Sequence, residues 1–321
     1  MTANLYYAFN GDADGLCALQ QLRLTDPRPC ELVTGVKRDI NLLERVPAQA
    51  GDECVVLDVS LDVNRAGLVK LLEAGVTVRY FDHHFAGEIP QVGKLESYID
   101  TAANVCTSLL VDRYLRGQKR AWAVTGLFGD SLNDEATALA AELGLSPEAT
   151  KTLKELGVGI NYNAYGETVS DLHVPPLELA EKMLEFPDPL AFAASSPAYR
   201  RLASGYREDM AQANRLAPTR RGPGALLYVM PDEVWARRVI GTLANDLAKA
   251  NAGSAVAILS PKTDGYVVSL RVPRDSKLAA DEFCRRFPTG GGRRTAAGVN
   301  HLPAGEVESF ANAFEAEYRA G

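Results

Sequence analysis

Cysteine is sparse and follows no pairing pattern. Cys17, Cys30, Cys54, Cys106 and Cys284 form an odd, scattered set with no Cys-x-x-Cys spacing, which leaves no basis for a disulfide scaffold or a thiolate zinc site. Most of them sit beside apolar residues, as small buried fillers in a reducing compartment do. Long apolar runs are also missing: nothing approaches the ~20 residues that cross a bilayer, and no basic-then-apolar leader follows Met1. A soluble, cytoplasmic protein with no membrane partner is expected. There is no internal repeat and no low-complexity tract. A broad basic footprint is absent too, because the net charge is −7, which argues against gripping long duplex nucleic acid by its phosphates.

The chain has 321 residues, 46% of them hydrophobic and 23% charged. That length exceeds what one hydrophobic core sustains, so two domains are expected. Charge divides unevenly. From Asn214 onward 15 Lys and Arg face 11 Asp and Glu, or +4, whereas Met1–Ala213 carries 19 against 30, or −11. An acidic part suits cations and a basic part suits an anion.

Leu5–Phe9 reads as a strand, Asn10–Gly15 as a polar turn and Leu16–Leu24 as a helix. Glu31–Val36 and Cys54–Leu57 read as further strands, and Asp62–Ala74 as a helix stopped by Gly75. The strand Val76–Phe81 ends in Asp82-His83-His84. Strands alternating with helices imply right-handed βαβ units and a parallel sheet covered on both faces, with ligands outside the carboxyl ends of its strands. Helices are expected over Asn104–Leu115, Glu135–Leu143, from Ser146 (capping, with Pro147 first), over Pro175–Phe186 and over Pro197–Asn214. Between the first two lies Val124–Asp130, an apolar segment ending in an acid. Arg215–Gly224, rich in Pro, Gly and Arg, reads as a linker. Beyond it, Ala225–Met230, Ala255–Leu259 and Tyr266–Val272 read as strands, the last two joined by a hairpin at Thr263-Asp264-Gly265. Trp235–Ala250, Leu278–Phe287 (capped by Ser276) and Gly305–Arg319 read as helices, and Gly290-Gly291-Gly292 as a loop.

Asp12, Asp14, Asp58 and Asp130 thus gather with His83 and His84 on one predicted rim. Singly each has an ordinary explanation, as a turn former or helix cap. Together, without cations, they would repel and raise one another's pKa, so divalent metals are the simplest compensation. Mixed carboxylate and imidazole donors suit Mn²⁺, and this many acids suit two ions sharing one carboxylate. Asp12-Ala13-Asp14-Gly15, Asp58 after an apolar strand, Asp82-His83-His84 and Gly129-Asp130 resemble the ordered motifs of the DHH phosphoesterase superfamily. Ser269-Leu270-Arg271, Gly290–Gly292 and Ala296-Ala297-Gly298 resemble its associated C-terminal domain.

That resemblance implies an α/β, parallel-sheet metal domain (1–190), a helical linker (191–223) and a smaller α+β substrate-binding domain (224–321). It implies Asn10, Asp12 and Asp58 as ligands of one metal, and Asp14, Asp58, His83 and Asp130 as ligands of the other. The ions would be Mn²⁺, with Mg²⁺ or Co²⁺ as alternatives. His84 would face the scissile phosphate, Asp82 would orient an imidazole, and Arg271, Gly290, Gly291, Gly292, Arg293 and Arg294 would bind substrate. This chain has Asn10 where relatives carry His or Asp, and Arg293 where they carry His. The first gives a poorer ligand and the second suits phosphate more than a base edge. The implied activity is two-metal hydrolysis of a short oligonucleotide, a dinucleotide or a small nucleotide, by a chain that could form a homodimer. Inorganic polyphosphate is the second candidate substrate, and a catalytically weakened phosphate- or nucleotide-binding regulator is the third reading.

Overall fold

The computed structural model describes residues 3–319. The chain divides into two compact units, one ending at Gly205 and the other beginning at Tyr206. Among the described residues no helix is long and apolar enough to cross a membrane.

In the first unit, strands β1 (Leu5–Phe9), β2 (Glu31–Val33), β3 (Glu53–Leu57), β4 (Thr77–Asp82) and β5 (Leu95–Ile99) form a parallel sheet in the order β2-β1-β3-β4-β5. Its helices are α1 (Ala13–Thr25), α2 (Arg65–Glu73), α3 (Thr107–Tyr114), α4 (Arg120–Gly129), α5 (Asn133–Glu142), α6 (Pro147–Asn163), α7 (Pro176–Leu184) and α8 (Pro189–Ser195), and α9 (Pro197–Ala213) crosses the division. The strand sequences are nearly all apolar because both sheet faces are buried. Leu5, Tyr7, Phe9, Val55, Leu57 and Phe81 pack with residues of α1, α3, α6 and α7. The alternating Tyr6, Ala8, Cys54, Val56, Val78 and Tyr80 pack instead with Leu68 and Leu71 of α2. A fully buried side chain of this size contributes about 1.5–3 kcal/mol. Ser146 caps α6 by accepting from the Ala149 amide (3.2 Å), and Pro147 takes the first helical position.

The second unit holds strands β6 (Arg220–Gly222), β7 (Ala225–Val229), β8 (Ala255–Lys262), β9 (Gly265–Arg271), β10 (Gly290–Arg293) and β11 (Ala296–Pro303), in the order β10-β11-β9-β8-β7-β6. All pairings are antiparallel except β7 with β8. Helices α11 (Ala280–Cys284) and α12 (Val307–Glu317) share a core with Leu227, Ala257, Leu259, Val268, Leu270 and Val299. Helix α10 (Val234–Ala250) follows β7.

Several elements differ from the sequence expectation. The apolar segment ending at Asp130, to which the sequence assigns no type, is the helix α4, so this acid reaches the site from a helix terminus. Strand β5, which was not foreseen, is a half-exposed edge whose sequence Leu-Glu-Ser-Tyr-Ile has no apolar run. Gly290–Gly292 do not form a loop: they belong to β10, paired with β11. The linker stretch contains β6. Ser276 does not cap α11, because its hydroxyl donates to the Leu278 carbonyl and Ala279 holds the cap position.

Candidate metal centre

In a parallel sheet of order 2-1-3-4-5, the connections from β1 and β3 leave on opposite faces, opening a crevice at the strands' carboxyl ends. Asp12 and Asp14 follow β1, Asp58 follows β3, and Asp82 closes β4 with His83 and His84 directly after it. Asp130 joins them from the C-terminus of α4.

Asp12, Asp14, Asp58 and Asp82 are buried, and the Asp130 side chain is 18% exposed. Asp58 has φ +60°, a left-handed conformation that Asp tolerates better than most residues but that still costs about 1–3 kcal/mol. Its amide donates to the Phe81 carbonyl (3.0 Å), and the buried Tyr80 hydroxyl donates to the carbonyl of the next residue, Val59 (2.8 Å). The turn is thereby pinned from the neighbouring strand. His83 donates from Nδ1 to the Val105 carbonyl (2.9 Å), which turns Nε2 toward the acids. Nε2 lies 3.4 Å from Asp58 Oδ1 and 4.0 Å from both Asp14 Oδ2 and Asp130 Oδ2. Asp130 Oδ2 is buried without a hydrogen-bond partner. The Asp14 carboxylate accepts the amides of Thr107 (2.6 Å) and Ser108 (2.7 Å), and Thr107 Oγ1 donates to Asp58 (3.2 Å).

This packing keeps protons in the site when no cation is there. Burial and the charges of Asp12 and Asp14 hold Asp58 well above the carboxylate range. Burial and Asp14 raise Asp130. Burial works against a charged His83, but its hydrogen bond to Asp58 and the charges of Asp58, Asp14 and Asp130 push it up to about 10. Donor atoms of Asp58, His83 and His84 lie within 4.8 Å of one another, and with Asp14 and the orphaned Asp130 oxygen each 4.0 Å from His83 Nε2 they fit a divalent cation that would displace those protons.

The second expected ligand set is arranged differently. Asp12 caps α1 through Oδ1, which accepts the amides of Asp14 (3.0 Å) and Gly15 (3.1 Å), while Oδ2 pairs with the Lys37 ammonium. Burial tends to raise its pKa, yet the Lys37 charge, the Lys37 hydrogen bond and the Gly15 amide bring it down to about 2. Asn10 Oδ1 accepts the Asp12 amide (3.3 Å) and Asn10 Nδ2 donates to the Lys37 carbonyl (3.3 Å), so its side chain is spent on the backbone. Asp82 is wholly buried and bonds His84 Nδ1 (2.7 Å), leaving Nε2 of the half-exposed His84 ring as the atom offered outward. Phe85, one residue on, is 73% exposed. Lys37, Thr107 and Phe85 were not foreseen as site residues. Lys37 directly follows the predicted strand Glu31–Val36, so the strand-end rule that found the acids would have found it.

In the second unit, Arg293, Ala296 and Arg271 stand opposite one another on β10, β11 and β9, as do Gly291, Gly298 and Ser269 one row away. Directly opposed residues share a face, so two arginines flank a floor of small residues. Arg271 Nε donates to Asn245 of α10 (2.7 Å), and its Nη1 donates to Ser269 Oγ (3.1 Å) and the Leu270 carbonyl (3.0 Å). The three glycines divide. A Cβ on Gly290 or Gly292 would strike Cys284 or Ala297, and Gly292 has φ +144°. A Cβ on Gly291 would meet nothing within 4 Å. The Gly290 amide donates to Phe287 (2.9 Å), so it is not free for the substrate-binding role expected of Gly290. Arg294 donates to the Ser276 carbonyl (3.1 Å).

Residues 222–320 match the DHHA1 domain family. No curated protein is significantly similar in sequence. Among solved structures, exonuclease RecJ bound to manganese is similar over 98% of this chain and 89% of its own, with TM-score 0.61 and 19% identity. The pGpG-specific phosphodiesterase PggH from Vibrio cholerae is similar over 98% of both chains, with TM-score 0.60 and 13% identity. An exopolyphosphatase-related protein from Bacteroides fragilis is similar over 98% of this chain and 91% of its own, with TM-score 0.54 and 13% identity. At these identities the likeness establishes the fold.

Proposed function

We propose that this chain, whose residues 222–320 match the DHHA1 domain family and whose fold is similar to that of exonuclease RecJ, is a DHH-type phosphoesterase, a divalent-metal-dependent hydrolase of small phosphodiesters with a short oligonucleotide or dinucleotide as substrate. The observation that carries this reading is the convergence of Asp14, Asp58 and Asp130 oxygens on His83 Nε2, within 3.4–4.0 Å. Those residues would hold the ion, Mn²⁺ being favoured by the mixed nitrogen and oxygen donors and by the manganese in the RecJ structure. Such an ion supplies Lewis-acid polarisation of a phosphoryl oxygen and makes water acidic enough to attack at neutral pH.

The remaining chemistry belongs to the protein. Asp82 holds the His84 ring so that Nε2 can donate to a phosphoryl oxygen or to the leaving oxygen. Phe85 offers an exposed ring beside it, suited to stacking a base, a contact worth about 1–3 kcal/mol. Within the second unit, Arg271 and Arg293 would bind a phosphate group across the flat floor at Gly291.

Hydrolysis of bis-(p-nitrophenyl) phosphate with Mn²⁺ or EDTA, by the wild type and by Asp58→Ala, tests the reading. Rates that are equal in the two proteins, or unmoved by EDTA, reject it. Polyphosphate is the second reading, favoured by the exposed Arg293 and Arg294. Side-by-side turnover of pGpG and a linear polyphosphate separates the two.

A further inference from the structure

The two expected ligand sets differ in what already occupies them. Around His83 Nε2 no cation of the described residues is among the partners: Asp14 accepts two backbone amides, Asp58 accepts from Thr107 Oγ1, and Asp130 Oδ2 has no hydrogen-bond partner. Around Asp12 every donor is engaged. Asp12 Oδ1 takes two amides, its Oδ2 takes Lys37 Nζ, and the Asn10 amide bridges the Asp12 N–H and the Lys37 carbonyl.

Lys37 is no stray surface side chain. Its amide donates to the Ala164 carbonyl (2.9 Å), its ammonium also donates to Asn161 Oδ1 (3.2 Å), and the ring of Tyr165 lies 5.5 Å from Nζ. The side chain is 24% exposed. Asp12 and Asn161 use two of the three ammonium donors, which leaves the third for a phosphoryl oxygen. The two unusual residues also belong together. The neutral amide at position 10 accepts from Asp12 N–H and donates to the Lys37 carbonyl at once, which an ionised Asp, having no donor, could not do.

We infer that the Lys37 ammonium stands in for the second divalent ion, so that this chain binds one catalytic ion, held by Asp14, Asp58, His83 and Asp130, and not two. The inference rests on the metal-dependent reading above and specifies its ion count. An ammonium neutralises the Asp12 side of the cluster and can bind phosphate, but it is no Lewis acid. Acidification of water is therefore left to the single ion.

The test is the number of Mn²⁺ ions bound per full chain, by native mass spectrometry and by elemental analysis after equilibration with excess Mn²⁺. One ion is expected in the wild type. Asp130→Asn should weaken its binding at least tenfold, and the double variant Asn10→His, Lys37→Ala should bind two. Two ions in the wild type, or a spin-coupled Mn²⁺ pair in its electron paramagnetic resonance spectrum, would overturn the inference while leaving the metal-dependent reading intact. One ion that is lost in Asp12→Ala but kept in Asp130→Asn would also overturn it. No ion at all would reject the metal-dependent reading, and this inference with it.

Discussion

Two glycines of α6, two residues apart, should respond to alanine in opposite directions. In a helix interior Ala is favoured over Gly by about 1 kcal/mol, so propensity alone stabilises both variants. At Gly159 the nearest atom to an added Cβ is Tyr199 Cε2, at 3.8 Å, which is ordinary contact. Gly159→Ala should therefore gain the full ~1 kcal/mol. At Gly157 the Cβ would press into the Thr125 carbonyl oxygen and approach the Gly129 nitrogen to 2.9 Å. Both are backbone atoms of α4 and cannot rotate away. Overpacking of this kind reaches about 3 kcal/mol, which outweighs the helix gain and leaves Gly157→Ala about 2 kcal/mol less stable. For a unit of this size each kcal/mol moves Tm by roughly 2–4 °C. Thermal unfolding in EDTA should show Gly159→Ala raised by ~2–4 °C and Gly157→Ala lowered by ~4–8 °C. Because α4 ends at Asp130, Gly157→Ala should also weaken Mn²⁺ binding. If Gly157→Ala proves as stable as Gly159→Ala, the close α4–α6 approach that positions Asp130 is wrong.

His84→Ala and Asp82→Asn should each lower kcat on bis-(p-nitrophenyl) phosphate, His84→Ala by about 10²–10⁴-fold, while Mn²⁺ affinity by calorimetry stays within a factor of three. A parallel collapse of affinity would make His84 a ligand instead. Gly291→Val should leave stability within about 0.5 kcal/mol, because its side chain meets open space, yet raise KM for pGpG at least tenfold, and an unchanged KM would remove the β10–β11–β9 floor from the substrate site. The pH dependence of metal-free stability follows from His83. Its pKa is pushed up to about 10, so its contribution is whole below its ordinary value near ~6.5 and is lost as pH rises toward 10. In EDTA the urea midpoint should fall between pH 7 and 10, more in the wild type than in His83→Gln, and saturating Mn²⁺ should flatten the fall. A midpoint that rises across that window contradicts the assignment.

The parallel sheet and its rim were legible because strands buried on both faces leave continuous apolar runs, and the runs of β3 and β4 end in Asp58 and in the Asp-His-His triplet. Strand β5 was not, because a half-exposed edge mixes Glu and Ser with its apolar residues. The helical state of the segment before Asp130 was hidden by its composition, since Ala-Trp-Ala-Val-Thr-Gly-Leu-Phe is apolar all round and shows no 3.6-residue stripe. The acids of the site could be found one motif at a time. The partnership of Asn10 with Lys37 could not, because it joins residues from two strand ends and the last turn of α6. Likewise, Gly290-Gly291-Gly292 reads as one flexible element, whereas pairing with β11 splits it into two packing positions and one open one.

The claim on which everything else rests is that Asp14, Asp58, His83 and Asp130 enclose a divalent ion. Crystals grown with Mn²⁺ and measured on both sides of the manganese absorption edge test it directly. The account predicts an anomalous peak bonded to His83 Nε2 at about 2.0–2.3 Å, with oxygens of the three acids around it. A map without a peak there, or a peak whose neighbours exclude His83, would contradict it.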